Sequence, residues 1–350
     1  MLSNTPRESV AQALGNEPAQ LRNPWYYWIK CTLTLPFRAV TWPIRYLLMF
    51  AICPMSRFYE EITQSDSEVK MKFNVDQETL ENGEIGTFKL KAINYTISDN
   101  DKCRMVLAWN QGQSEEVKDR KLVINFGGNG QPILGRIYKL ENLKSNSDII
   151  FVEYPKGATY SQELVDGGVS AVLRAINAGY KPENITIAGH SLGGAVGALV
   201  LRKMKHHLQQ EQKFAEYINH RSFKDLGAFV AAQAETSQDG WLRKTINLIA
   251  WAFRVQLDAE EAIKSGLPVN KITAHYDEKD EIIKPAASIG KAIEDGELQP
   301  GVNTEVVRTD FCEHNNFRSN TLYGAEESYD YRKYIQARQE IAPTLIAARV

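Results

Sequence analysis

From residue 70 onward, short runs rich in β-branched and aromatic residues alternate with longer amphipathic stretches. Residues 70–75 and 87–97 alternate apolar and polar positions with a period of two, which is typical of half-exposed antiparallel strands. The runs at 121–126, 148–154 and 184–189 are continuous β-branched runs without the alternation, as expected for strands that are buried on both faces. The pattern therefore predicts a sheet with a parallel centre.

Helical periodicity fills the intervals between these runs. Predicted helices at about 132–144, 161–179 and 192–212 separate the strands, which is the β-α-β rhythm of a doubly wound α/β fold with a mostly parallel sheet. The same alternation continues to the end of the chain, with predicted strands at 214–219, 269–276 and 305–311 and a closing helix at 326–349.

Two segments depart from the alternation. Residues 24–58 are rich in aromatic residues, carry two arginines on one helical face and are broken by prolines. They are predicted either to lie flat in a membrane interface or to pack on the main domain. Residues 222–266 read as helices inserted above the sheet as a cap. We therefore expect a polar start and an apolar helical segment over 1–60, and an α/β domain with a helical cap over 61–350.

Charge and cysteine content narrow the choice of partners. The 41 lysines and arginines against 43 aspartates and glutamates give a formal net charge of −2, so nucleic acid is not an expected partner. The cysteines form no CxxC pair, and neither a phosphate-binding loop nor a dinucleotide fingerprint follows a strand. No metal and no cofactor are expected. The first 24 residues lack the apolar stretch of a signal peptide, and no run is long enough to span a bilayer.

The strongest chemical signal is a GxSxG motif, formed by residues 189–193. It follows the predicted strand at 184–189 directly and precedes a predicted helix directly. A serine on such a sharp turn needs small neighbours, which Gly189 and Gly193 provide on either side of His190, Ser191 and Leu192. The following helix would direct free N–H groups and its positive end toward the serine.

This arrangement resembles the nucleophile elbow of the α/β-hydrolase superfamily, in particular that of lipases and esterases. The resemblance implies an α/β-hydrolase fold with Ser191 as nucleophile, followed along the chain by an acid and a histidine. Asp280, which follows the predicted strand at 269–276, is the expected acid, and Asp277 is an open alternative. His314, after the last predicted strand, is the expected base.

The same resemblance predicts an oxyanion hole with two backbone donors. One is the N–H of Leu192, and the other comes from the loop after the strand at 121–126. In that loop either Gly128 or Asn129 is the expected donor, with Asn129 preferred. Gly127 occupies the position where the family most often has histidine, so the loop departs from the family pattern there.

A serine hydroxyl becomes a nucleophile when an imidazole accepts its proton, and a carboxylate fixes the tautomer of that imidazole. The sequence therefore predicts a serine hydrolase that cleaves carboxylic esters through an acyl-enzyme, with a lipid or acyl-ester substrate favoured. The alternatives are a thioesterase or peptidase with the same triad, and a non-catalytic, membrane-associated binding module that keeps the fold.

A second resemblance concerns substrate and location. The segments FGGNG and GHSLGG, together with Arg221-Ser222-Phe223, are similar to a membrane-associated, lipase-like branch that includes effector hydrolases delivered by intracellular bacteria into host cells. This resemblance implies a lipid substrate and contact of residues 24–58 with a bilayer. The expected location is accordingly the cytoplasm or a membrane periphery, including that of a host cell.

Overall fold

The fold was taken from a computed structural model, which describes residues 6–16, 80, 83–96, 102–129, 133–137, 140, 145–155, 158 and 160–309. The predicted segments at 24–58, 70–75 and 326–349, and the predicted base His314, lie outside these residues.

The described strands form one nine-stranded sheet in the order β1-β2-β3-β5-β4-β6-β7-β8-β9. Their bounds are β1 Glu84–Ile85, β2 Phe88–Thr96, β3 Lys102–Asn110, β4 Leu122–Phe126, β5 Asp148–Val152, β6 Ile185–His190, β7 Phe214–His220, β8 Val269–Asp277 and β9 Asn303–Thr309. The pairs β1/β2, β2/β3 and β3/β5 are antiparallel, and every pairing from β5 through β4 to β9 is parallel. The predicted mostly parallel sheet is confirmed.

Helices occupy the intervals between the strands in the described part of the chain. They are α1 Pro6–Gly15, α2 Ile133–Ile137, α3 Ser161–Asn177, α4 Leu192–Met204, α5 Leu226–Gln233, α6 Trp241–Ala252, α7 Ala259–Lys264 and α8 Ile289–Glu294. Short 3-10 turns lie at Val117–Asp119, Pro182–Asn184 and Pro285–Ala287.

The core lies on both faces of the sheet, as β4 shows. All five residues of β4 are buried. Leu122, Ile124 and Phe126 pack in the cluster that holds α1, α3 and α4, whereas Val123 packs in the cluster that holds α2. Because alternate side chains of a strand point to opposite faces, these two clusters lie on opposite sides of the sheet. The doubly wound arrangement follows, and burial of each such aliphatic side chain contributes about 1.5–3 kcal/mol.

Helix α1, which the sequence pattern did not predict, packs on the α/β domain. Val10, Ala11 and Leu14 are buried in the cluster that includes α3 and β2. Nη1 of the buried Arg174 in α3 donates to the carbonyl oxygens of Leu14 and Gly15, at 3.0 and 2.8 Å. These are orphan acceptors of the last helical turn, so the contact satisfies both the helix end and the buried cation. The predicted division at residue 60 stays a prediction.

The insert between β7 and β8 consists of α5, α6 and α7, as the pattern at 222–266 predicts. Asp225 holds these helices together. Its Oδ1 accepts from the N–H of Ala228 at 2.7 Å and thereby caps α5, and its Oδ2 accepts from Arg243 in α6. Arg243 also donates to Glu260 in α7, at 2.6 Å. Among the described helices, none is long and apolar enough to cross a membrane.

Candidate active site

Ser191 lies on a one-residue turn between β6 and α4. Its backbone has φ 51° and ψ −120°, a left-handed φ that is uncommon for residues other than glycine and costs of the order of 1–3 kcal/mol. The N–H of Ser191 donates to the carbonyl oxygen of His220 at the end of β7, at 2.9 Å. The strained residue is therefore held by the neighbouring strand at the carboxyl edge of the sheet.

The glycines around Ser191 are required by close backbone contacts. A Cβ on Gly189 would lie 2.2 Å from the carbonyl oxygen of Gly193, and a Cβ on Gly193 would lie 2.1 Å from that of Phe126. Neither obstacle is a side chain that could rotate away. Strand β6, helix α4 and the end of β4 thus approach each other as closely as the sequence motif indicates.

The loop after β4 lies beside the nucleophile. A Cβ on Gly128 would lie 3.3 Å from Cβ of Ser191 and 2.9 Å from Cδ2 of His190, so only glycine fits there without displacement. Leu192 is the first residue of α4, where backbone N–H groups have no partner within the helix. Asn129 is exposed. Two backbone segments that could donate to an oxyanion therefore flank Ser191, and the choice between Gly128 and Asn129 stays a prediction.

The two candidate acids have different partners at and just after the end of β8. Oδ1 of Asp280 accepts from the N–H groups of Ile282 and Ile283, at 2.9 and 2.7 Å, and the residue is buried. Both carboxylate oxygens of Asp277 are engaged instead in contacts with Lys279 N–H, Arg221 and Thr309. Which of the two carboxylates serves as the acid therefore stays a prediction. The segment that leads to His314 begins after Thr309, the last described residue.

A row of buried histidines, which sequence reasoning missed, lies next to the elbow. His190 and His220 are the last residues of β6 and β7, and His275 lies two residues before the end of β8. The three are neighbours in register, with ring centroids 5.2 and 5.1 Å apart. Nδ1 of His190 lies 3.0 Å from Nδ1 of His220. A signal was available, because His220 directly follows the predicted strand at 214–219, as His190 follows that at 184–189, and His275 is the penultimate residue of that at 269–276.

The electrostatic environment keeps His275 neutral at physiological pH. Burial lowers the pKa of His275 to about 4, and the positive charge of Arg221 acts in the same direction. The Nε2 atom of His275 is buried without a hydrogen-bond partner among the described residues. Near the end of β8 the sheet therefore carries a neutral imidazole.

One helix of the insert exposes an apolar face. Trp241, Leu248 and Trp251 of α6 are 74%, 63% and 63% exposed, whereas Ala250 on the opposite face is buried. Trp241, Leu248 and Trp251 are therefore not part of the described core.

A family model matches the central part of the chain. Residues 136–223 match the family Lipase (class 3), and this segment contains α3, β6, the turn at Ser191, α4 and β7. No curated protein sequence matches the chain.

Several solved esterase structures are similar to the chain. One of two fungal esterases from Rhizomucor miehei is 16% identical, with a TM-score of 0.48 over 72% of this chain and 81% of that chain. A thermostable esterase from Pseudomonas putida is 14% identical, with a TM-score of 0.49 over 72% and 81%. An esterase from the archaeon Pyrobaculum calidifontis is 16% identical, with a TM-score of 0.48 over 73% and 84%.

The sheet order and the strand–turn–helix at Ser191 give the chain an α/β-hydrolase fold, and its residues 136–223 are similar to class 3 lipases. The family match supports a carboxylic ester hydrolase as the class of activity.

Proposed function

We propose that the chain is a serine hydrolase that cleaves carboxylic esters through an acyl-enzyme, with Ser191 as nucleophile, His314 as base and Asp280 as acid. The observation that carries the proposal is the strained backbone of Ser191, held between β6 and α4 beside Gly128. Strain of this kind is kept at functional sites, because a serine in a relaxed turn would not present its hydroxyl above the sheet.

In the proposed reaction, His314 accepts the proton of the Ser191 hydroxyl while Oγ attacks the ester carbonyl carbon. The N–H of Leu192 and an N–H of the Gly128–Asn129 loop stabilise the oxyanion. When the carbonyl re-forms, the alcohol leaves with the proton from the imidazolium. Water, deprotonated by His314, then attacks the acyl-enzyme, and the carboxylic acid leaves as Ser191 regains its proton.

A lipid or other long acyl ester is the proposed substrate class. The exposed apolar face of α6 supports it, because an apolar surface of this kind on the insert suits contact with acyl chains. Contact of residues 24–58 with a membrane surface, and action at a host membrane, belong to the same proposal and rest on the sequence alone.

Covalent labelling with a fluorophosphonate tests the chemistry without knowledge of the substrate. Wild type should label, and Ser191→Ala and His314→Ala should not, because only an activated serine reacts. Asp280→Asn should slow labelling by about 10³- to 10⁴-fold, as loss of the acid leaves the wrong tautomer of the base. Circular dichroism of each variant controls for folding. Labelling of folded Ser191→Ala at the wild-type rate would overturn the proposal.

A substrate panel then separates the remaining alternatives. Soluble and emulsified esters of increasing chain length are compared with matched thioesters and peptides. Preference for long-chain esters supports the lipid proposal, whereas preference for thioesters or peptides assigns the same machinery to another leaving group. A folded wild type that neither labels nor hydrolyses any of these substrates would favour a non-catalytic module.

A further inference from the structure

A buried ion pair ties two strand ends together beside the elbow. Nη2 of Arg221, directly after β7, lies 3.3 Å from Oδ2 of Asp277, the last residue of β8. The side chains are 4% and 0% exposed. Arg221 has φ 53°, and its N–H donates to the carbonyl oxygen of His275 at 3.0 Å. A long, charged side chain is therefore kept in a left-handed backbone conformation at the edge where the nucleophile lies.

The carboxylate of Asp277 also organises the turn that carries the proposed acid. Its Oδ1 accepts from the N–H of Lys279 at 2.8 Å, and its carbonyl oxygen accepts from the N–H of Asp280 at 3.3 Å. Because the turn closes on Asp277, the position of Asp280 depends on where the Asp277 carboxylate is held.

The same carboxylate reaches the end of β9. The hydroxyl of Thr309 donates to Oδ2 of Asp277 at 2.6 Å, and the carbonyl oxygen of Thr309 accepts from the N–H of Glu278 at 2.9 Å. Thr309 precedes the proposed base His314 by five residues. One buried carboxylate thus joins the origins of the two segments that carry the acid and the base.

We propose that Arg221 and Asp277 are positioning residues of the triad: the pair fixes the Asp280 turn and the start of the His314 segment relative to Ser191. The proposal rests on the proposed function. A buried ion pair adds little net stability, since desolvation offsets its attraction. Positioning of the neighbouring segments explains a buried ion pair at this place better than a contribution to stability does.

The test compares this pair with a similar pair at the opposite edge of the sheet. There, Arg120 contacts Asp148 at 2.7 Å with side chains 2% and 0% exposed, and the hydroxyl of Tyr180 donates to Asp148 at 2.8 Å. Asp277→Asn should slow fluorophosphonate labelling of folded protein by about tenfold or more, because small displacements of catalytic groups cost this much. Asp148→Asn lowers stability but should leave the labelling rate of the folded protein unchanged.

Two variants that remove a single hydroxyl group provide the same comparison if Asp277→Asn or Asp148→Asn does not fold. Thr309→Val and Tyr180→Phe each remove one hydroxyl donor from a buried, paired aspartate. Thr309→Val should slow labelling about threefold or more, Thr309→Ser should restore it, and Tyr180→Phe should have no effect. In Thr309→Val the acid limb of the pH–rate profile should also move to lower pH, since a displaced Asp280 stabilises the imidazolium of His314 less well.

The outcomes separate this inference from the proposed function. If wild type does not label, the function itself fails and the inference falls with it. If wild type labels but Thr309→Val matches Tyr180→Phe in both rate and pH profile, the pair has no positioning role although the function stands. If Asp277→Asn loses more activity than Asp280→Asn, Asp277 is itself the triad acid and the positioning role is overturned.

Discussion

At the scale of single residues, the elbow depends on the absence of a side chain at Gly189. The obstacle to a Cβ there is the carbonyl oxygen of Gly193, 2.2 Å away, which is part of the backbone of α4. An added methyl group must therefore move the helix relative to the strand.

We predict that Gly189→Ala lowers the free energy of unfolding by about 3 kcal/mol, as overpacking against an immobile neighbour does, and abolishes labelling of Ser191. Gly15→Ala is the matched control. Its Cβ would meet nothing closer than Cγ2 of Ile93 at 3.9 Å, so stability should change by less than about 0.5 kcal/mol. Urea denaturation of both variants checks the prediction. Equal stability of the two variants would show that the fold tolerates a larger distance between β6 and α4.

The residues of the elbow could be predicted from sequence because their relation is local. A strand, a strained serine and a helix follow one another within a few positions, and the glycines mark the close approach. The pair of Arg221 and Asp277 could not be predicted in this way. The residues are 56 positions apart, and their contact depends on the register of β7 against β8 and on the length of the insert between them.

At the scale of elements, α6 presents two different faces. Arg243 and Asn247 point inward and bond Asp225, whereas Trp241, Leu248 and Trp251 are exposed. The inner face holds the insert in place through these hydrogen bonds, and the outer face does not contribute to them.

We predict that Trp241→Gln/Trp251→Gln lowers hydrolysis of emulsified long-chain esters about tenfold and changes hydrolysis of a soluble short-chain ester less than twofold. The reason is that both indoles are mostly exposed, so their removal takes away contact with an apolar substrate and leaves the buried core of the fold intact. Lys244→Gln, an exposed change on the same helix, is the control for charge. An equal loss of hydrolysis rate on both esters would instead show that the tryptophans maintain the structure of the site.

Strands with a clear pattern were predictable, and elements such as β3 and α1 were not. Predicted strands at 87–97, 121–126, 148–154, 184–189, 214–219, 269–276 and 305–311 are confirmed with small shifts of their bounds. Strand β3 was missed, because charged residues at its start and apolar residues on both faces hide the alternation. Helix α1 was missed because its buried stripe is only Val10, Ala11 and Leu14, and the partner that buries it lies far along the chain.

At the scale of the whole molecule, the carboxyl edge of the sheet combines buried imidazoles with buried charge. His275 is adjacent in register to His220, and the charges that act on it are Arg221, Lys271 and Glu305. The two cations lower its pKa and the glutamate raises it, but burial has the largest effect.

We predict that acid destabilises the fold through His275. Its pKa in the folded protein, about 4, lies below the ordinary 6.5, so the unfolded chain binds the proton first as pH falls. Above pH 6.5 the contribution of His275 to the free energy of unfolding is fully present. It is lost as the pH falls from about 6.5 to about 4, by about 3 kcal/mol in total. His275→Gln should flatten the dependence of unfolding free energy on pH in this window. The unfolding free energy of both proteins is measured by urea denaturation at several pH values. An identical dependence on pH in this window would contradict the assignment to His275.

The contact between α1 and Arg174 has a consequence for how the protein is made. Arg174 bonds the carbonyl oxygen of a residue 160 positions earlier in the chain. At about 5–20 residues per second, a ribosome needs roughly 8–30 s to synthesise the intervening segment. During that time Val10, Ala11 and Leu14 have no α3 to cover them, so the nascent chain carries an uncovered apolar stripe that a chaperone could bind.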